Sequence, residues 1–197
     1  MKRTYIIIPL FLLALTLGNC LPPAQDLSEQ ELAIKRKGAD SIVIVHSRSG
    51  FTAAMGLEIA RLMKADYIRL KVAKGAGDNF FSTPNRLKAV ETEPAKLDLS
   101  PYRVVYLGSP VWYWHQTAFL YSFIGGNDFT GKKVVLFYTC EGLLTDGAVA
   151  ELKDLVEKKG GVVLDVFGID RDELDEGQTV TSATSKLVEE RKDRWLK

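Results

Sequence analysis

The chain has 197 residues, with 26 Lys and Arg against 25 Asp and Glu, so its formal charge is +1. That balance offers no concentrated basic face and argues against a nucleic-acid partner. Two cysteines, Cys20 and Cys140, and two histidines, His46 and His115, show no metal-ligand spacing, and the length suits about one domain.

Met1-Lys2-Arg3 is basic, and Tyr5 to Leu17 is apolar apart from Thr16, with one proline, Pro9. That run is shorter than the roughly 20 residues a membrane-crossing helix needs. A basic start, a short apolar run and small residues before a cut mark a secretory signal. The segment ends Leu17-Gly18-Asn19-Cys20 and resembles a bacterial lipoprotein signal. The resemblance implies removal of residues 1–19 and lipid on Cys20. It places the protein outside the cytoplasm, anchored to a membrane on the periplasmic face or the cell surface. Asn19 departs from the small residue usual before the cysteine, and the alternative is ordinary secretion with Cys20 incidental. Loss of Lys2 and Arg3 takes the charge to about −1. With Cys20 lipidated, Cys140 is the only thiol and no intrachain disulfide forms. Residues 20–40 read as the lipidated N-terminus and tether, with Pro22-Pro23 and then mostly polar residues from Asp26. Lys35-Arg36-Lys37 is a solvated charge run or a weak attraction to anionic lipid.

Residues 41–197 read as the folded domain. Ser41-Ile42-Val43-Ile44-Val45 is a continuous apolar, mostly β-branched run, and Ala53 to Met63 is a helix with Met55, Ile59 and Met63 on one stripe. Between them stands His46-Ser47-Arg48-Ser49-Gly50-Phe51-Thr52. The first N–H groups of a helix have no partner inside it, and its dipole is positive at that end. Hydroxyls and a glycine at that handover suit a phosphate. Neither G-x-x-x-x-G-K-[ST] nor G-x-G-x-x-G follows the first strand.

Asp66 to Val72 alternates polar and apolar, Val104 to Leu107 and Val134 to Tyr138 are continuous apolar runs, and Val162 to Gly168 is apolar but broken by Asp165. Continuous runs suit central parallel strands and charged ones suit edges. The first, third and fourth strands are therefore expected at the centre, the second and fifth at the edges. Helices are expected over Gln116–Ile124, Asp146–Lys159 and Ser182–Leu196, the second stopped by Gly160-Gly161. Ala73 to Ser100 holds two glycines and two prolines and leaves room for a short helix near Asn85–Thr92. Alternating strand and helix gives an α/β doubly wound parallel sheet of five strands in the order 2-1-3-4-5, with helices on both faces.

In such a sheet ligands sit beyond the carboxyl ends of the strands, where the order reverses. Three loops meet there: the hydroxyl loop, Gly108-Ser109-Pro110-Val111-Trp112-Tyr113-Trp114-His115 after the third strand, and Thr139-Cys140-Glu141-Gly142-Leu143-Leu144-Thr145 after the fourth. Three successive aromatics at a loop tip suit a flat ring, because offset stacking is worth roughly 0.5–1.5 kcal/mol beyond burial.

The hydroxyl loop resembles the Ser/Thr-x-Ser/Thr-Gly-x-Thr phosphate loop of the flavodoxins. Gly-Ser-Pro-Val-Trp resembles that family's ring-contacting loop, and the third loop its other wall. The resemblance covers about Ser41 to Asp170 and implies FMN as cofactor. It implies phosphate contacts from Ser47, Arg48, Ser49, Gly50, Phe51 and Thr52. Ring contacts come from Pro110, Val111 and Trp112, with Tyr113 and Trp114 as rivals, and the far wall is Thr139, Cys140, Glu141 and Gly142. Cys140, lacking a partner thiol, reads as a packed residue and not a redox centre. Phosphoacceptor receiver domains share the fold, but they need an acidic pair where this chain has His46-Ser47.

No acid-base or nucleophile constellation is legible, so no catalytic residue is expected. The expected function is a membrane-tethered flavoprotein in electron transfer, with an unknown redox partner. The alternatives are an FMN-dependent NAD(P)H:quinone-type oxidoreductase, or a flavin-free surface lipoprotein that binds a partner. Export argues against the nicotinamide route, since the cytoplasmic pool is out of reach. Near-neutral charge departs from the acidic character common among flavodoxins.

Overall fold

A computed structural model describes residues 33–73, 91–142 and 145–197. The signal segment, Cys20, Leu143 and Leu144 lie outside the described residues. So does the expected helix near residue 85, except for Glu91, which is in neither helix nor strand, and Thr92, which sits in a strand.

Five parallel strands form the frame. They are β2 (Ser41–His46), β3 (Asp66–Val72), β5 (Val104–Trp112), β7 (Lys133–Cys140) and β8 (Val162–Asp170), in the order β3-β2-β5-β7-β8. This is the expected 2-1-3-4-5 order. The β-branched runs supply it: Ile42 to Val45, Val105 to Leu107 and Val134 to Phe137 are fully buried, as strands covered on both faces must be.

Two apolar layers flank the sheet. On one face Val43, Val45, Tyr106 and Phe137 pack under α1 (Phe51–Met63) and α4 (Val180–Leu196). On the other, Ile42, Ile44, Leu107 and Leu136 pack with Leu120, Phe123 and Ile124 of α2 (Ala118–Gly126) and Leu152 of α3 (Asp146–Lys158). Gly108 exists for packing: a Cβ there would lie 2.1 Å from the Phe137 ring.

The second strand is not an edge. Ala33–Ile34, β1, pairs antiparallel with β3, and β4 (Thr92–Glu93) pairs with its far end. The sheet thus recruits two residues of the segment read as tether to pair the outer backbone of β3, while Tyr67 is buried in one apolar layer and Ile68 and Leu70 in the other. The basic run is partly drawn in as well. Lys35 Nζ donates to the Tyr102 hydroxyl at 3.0 Å, and Arg36 Nε donates to the Ala65 carbonyl at 2.8 Å. Lys35 Nζ also lies 3.5 Å from Asp66 Oδ2, the Arg36 backbone N–H donates to Asp66 Oδ1, and Oδ2 accepts from Tyr102 at 2.6 Å.

The fifth strand is the open edge, as expected. Its interruption, Asp165, has a structural use. A register irregularity opposite Val134 and Val135 accompanies Asp165, whose Oδ2 accepts from Trp195 Nε1 at 3.0 Å and meets Arg191 and Arg194. Trp195 is fully buried and stacks on Phe167, so α4 is locked to β8 by one polar and one aromatic contact.

Three helices are longer or shifted relative to expectation. α1 begins at Phe51, inside the expected loop. α2 begins at Ala118, because Gln116 is taken into a short strand. α4 begins at Val180, where Thr179 and Ser182 form a reciprocal cap. Among the described residues no helix is long and apolar enough to cross a membrane.

Candidate functional site

The carboxyl ends of β2, β5, β7 and β8 meet at one crevice of about 310 Å³, within the range of small-molecule sites. It opens where the strand order reverses between β2 and β5.

One end of the crevice is the hydroxyl turn. Gly50 caps α1 at φ 92°, a conformation in which a Cβ is strained, and no side chain caps the helix. The first helical bond runs from Ala54 N–H to the Gly50 carbonyl. Earlier N–H groups of the first turn therefore face the end where an anion is favoured. Arg48, Ser49 and Phe51 line the crevice. Ser47 is buried and outside that lining, its carbonyl accepting from Arg69 Nη2 at 2.7 Å. Thr52 is turned inward and shares a 2.7 Å hydrogen bond with Thr139 Oγ1, tying the helix start to the end of β7.

The first long wall corrects the expected loop. Gly108 to Trp112 is not a loop but a continuation of β5, which doubles back through β6 (His115–Gln116). Tyr113 and Trp114 are the two central residues of that hairpin, with φ 50° and 64°. Turns with both central φ positive match strand twist but favour Asn-Gly, and each bulky residue there costs roughly 1–3 kcal/mol. Pro110, Val111, Trp112 and Tyr113 face the crevice; Trp114 does not. Tyr113 and Trp114 are 65% and 64% exposed.

His46 supports this wall from below. Its ring stacks on Phe119 with centroids 4.2 Å apart and meets the Trp112 ring edge-on at 5.6 Å. Thr117 Oγ1 lies 3.3 Å from His46 Nδ1, and the Thr117 N–H donates to Ser109 Oγ at 3.3 Å. Burial, reinforced by the charge of Arg69, pushes the imidazole down to about 3. His46 is thus a neutral packing element.

The second wall is Thr139, Cys140, Glu141 and Arg171. Cys140 is nearly buried, and burial, with Asp170 nearby, pushes its thiol up to about 12, which disfavours the thiolate. Gly142 lies off the crevice, its N–H donating to Asp170 Oδ2 at 3.2 Å. Arg171, in the 3-10 turn Arg171–Glu173, is the residue that sequence reasoning missed. Its guanidinium lies 3.5 Å over the Phe51 ring and is ion-paired with Glu141. It follows the carboxyl end of β8, so the rule that found the other three loops also reaches it.

The arrangement suits a flat, partly apolar ligand with an anionic end. Aromatic side chains form one long wall, and the uncapped helix start with Arg48 closes the end. Among the described residues no three of His, Cys, Asp and Glu converge as a metal site.

A family model, described as flavodoxin, matches residues 40–166. Solved structures share the fold. A candidate flavoprotein from Bacteroides uniformis aligns with TM-score 0.64 at 18% identity, over 77% of this chain and 99% of that one. A flavoprotein from Lactobacillus acidophilus, solved in complex with FMN, aligns with TM-score 0.53 at 17% identity, over 81% and 100%. An NADH:FMN oxidoreductase in its apo form aligns with TM-score 0.52 at 16% identity, over 77% and 88%. Among curated proteins, no sequence matches.

Proposed function

The chain belongs to the flavodoxin family, and we propose that it is a membrane-tethered electron carrier whose crevice holds FMN. The observation that carries this reading is the pairing of an uncapped helix start at Gly50 with an aromatic wall at the switch point. Backbone N–H groups, Ser49 and Arg48 hold the phosphate. Trp112 and Tyr113 pack against the ring, opposite Glu141 and Arg171. Bound FMN supplies reversible electron transfer; the protein supplies orientation, charge and exclusion of water.

A carrier also suits the chemistry of the walls. Acid-base catalysis works best with a group that titrates near the operating pH. The thiol of Cys140 is held far above neutrality and the imidazole of His46 far below it. The lipid anchor on Cys20 supports export to a compartment without cytoplasmic nicotinamide.

Purified protein should be yellow and should release FMN on denaturation. It should bind FMN far more tightly than riboflavin. Dithionite should reduce the bound flavin, while NADH and NADPH should give negligible steady turnover. Rapid nicotinamide oxidation with a quinone would make the protein a reductase instead. A colourless protein that FMN does not bind would leave a partner-binding lipoprotein.

A further inference from the structure

We propose that the crevice end of the sheet, led by the Tyr113–Trp114 turn, lies against the lipid bilayer to which the tether anchors the domain. This rests on the reading of Cys20 as the lipid-bearing residue.

The direction of the chain is the first argument. β1 runs antiparallel to β3, with Ala33 opposite Ile68 and Ile34 opposite Tyr67. Going back toward the N-terminus, from Ile34 to Ala33, therefore leads along β3 toward its carboxyl end. The tether joins the domain while heading for the crevice end. To set the other end on the membrane, it would have to reverse.

Reach is the second. From position 20 to position 33 is 13 steps of chain, about 45 Å at full extension. Ile68 is level with Ile44, and Ile44 with Leu107. The turn at Tyr113 is six residues further along β5, so it stands about 20 Å beyond Ala33 at 3.3 Å per residue. The lipid therefore reaches the level of the turn with chain to spare.

The turn itself is the third. Two bulky aromatics occupy positions where Asn-Gly costs least, and both stay about two-thirds exposed. The crevice accounts for Tyr113 but not for Trp114, which is not among the residues that line it. Trp and Tyr are the side chains that settle at a bilayer surface, with an apolar ring and a polar atom. Of the cationic run that the sequence offers to anionic lipid, Lys35 and Arg36 are tied to Asp66, Tyr102 and Ala65 near the start of β3, at the opposite end.

The test uses the full-length, FMN-loaded protein in vesicles of phosphatidylethanolamine and phosphatidylglycerol. Nitroxide labels go on Trp114→Cys, on Lys71→Cys near the same end with the turn intact, and on Asp128→Cys at the far end. Collision with oxygen, which concentrates in lipid, is compared with collision with a water-soluble nickel chelate. The oxygen-to-chelate ratio should be severalfold higher at 114 than at 128, with 71 between them. If the Trp114→Cys variant does not fold, the order of 71 above 128 carries the test. Equal ratios, or a higher ratio at 128, overturn the proposal. The mass of the N-terminal peptide is measured on the same sample. Lipid on Cys20 with water-facing labels refutes the orientation alone, whereas an unlipidated Cys20 refutes the tether.

Discussion

The hairpin wall, Trp112 and Tyr113, meets the crevice with rings, while the opposite wall, Glu141 and Arg171, meets it with an ion pair laid on Phe51. The first is supported by packing: Trp112 leans on His46, and His46 on Phe119. The second is supported by charge, from residues at the ends of two different strands. Packed rings give affinity for any flat ligand and favour its electron-poor form. A cation facing the same ligand favours the electron-rich form. The walls are therefore expected to pull the reduction potential in opposite directions, with Glu141 offsetting part of the effect of Arg171.

The largest effect should come from the end that both walls share. Gly50→Val puts a β-branched side chain at φ 92° and blocks approach to the helix start. FMN binding should fall below detection in a fluorescence titration, and FMN should lose its advantage over riboflavin. An unchanged ratio of the two affinities would mean that the phosphate sits elsewhere.

Next in size is the pH dependence of the hairpin support. The folded pKa of His46 lies at about 3, below its ordinary value of 6.5. The unfolded chain therefore binds the proton first as pH falls. The contribution of a neutral His46 is complete above pH 6.5 and is lost progressively down to about pH 3, by about 1.4 kcal/mol per pH unit. Urea unfolding of the wild type should show that slope, and His46→Gln should flatten it even though the variant is less stable at pH 7. Parallel profiles would exclude His46 as the titrating group.

Single-side-chain changes then separate the walls. Trp112→Ala should weaken FMN binding by about 1–2 kcal/mol, raise the fluorescence of the bound flavin and shift its potential upward. Trp114→Ala, off the crevice, should change affinity by less than about 0.5 kcal/mol, in the range of surface substitutions. Equal losses from the two would put Trp114 at the ring.

Arg171→Ala should weaken binding by about 1 kcal/mol, since its partner Glu141 is half-exposed and its stack on Phe51 is modest. Its shift in potential should run downward, opposite to Trp112→Ala. Spectroelectrochemical titration of both variants checks the sign, and shifts in the same direction would refute the opposition of the walls.

The unbroken apolar runs of β2, β5 and β7 were legible because a strand buried on both faces leaves no place for a polar residue. The Gly50 turn was legible because few residue types permit its backbone. The hairpin was not. Nothing in Tyr113-Trp114 announces a two-residue turn, since the favoured Asn-Gly is absent; the pairing of Val111 with Gln116 and Trp112 with His115 holds them there. Ser47 and Thr52 fit the motif but are buried and are not among the residues that line the crevice. Arg69 holds the carbonyl of one, and Thr139 the hydroxyl of the other.

Sequence alone thus determined the layered sheet, its strand order and the place of the crevice, because these follow from local periodicity and from where strands end. Tertiary structure alone decided which side chains face the ligand space. Arg171 joins Phe51 and Glu141 from 120 and 30 residues away, and β1 leaves the tether to cover β3. Contacts between residues so distant in the chain depend on how the sheet brings their ends together, and no local pattern of residues encodes that.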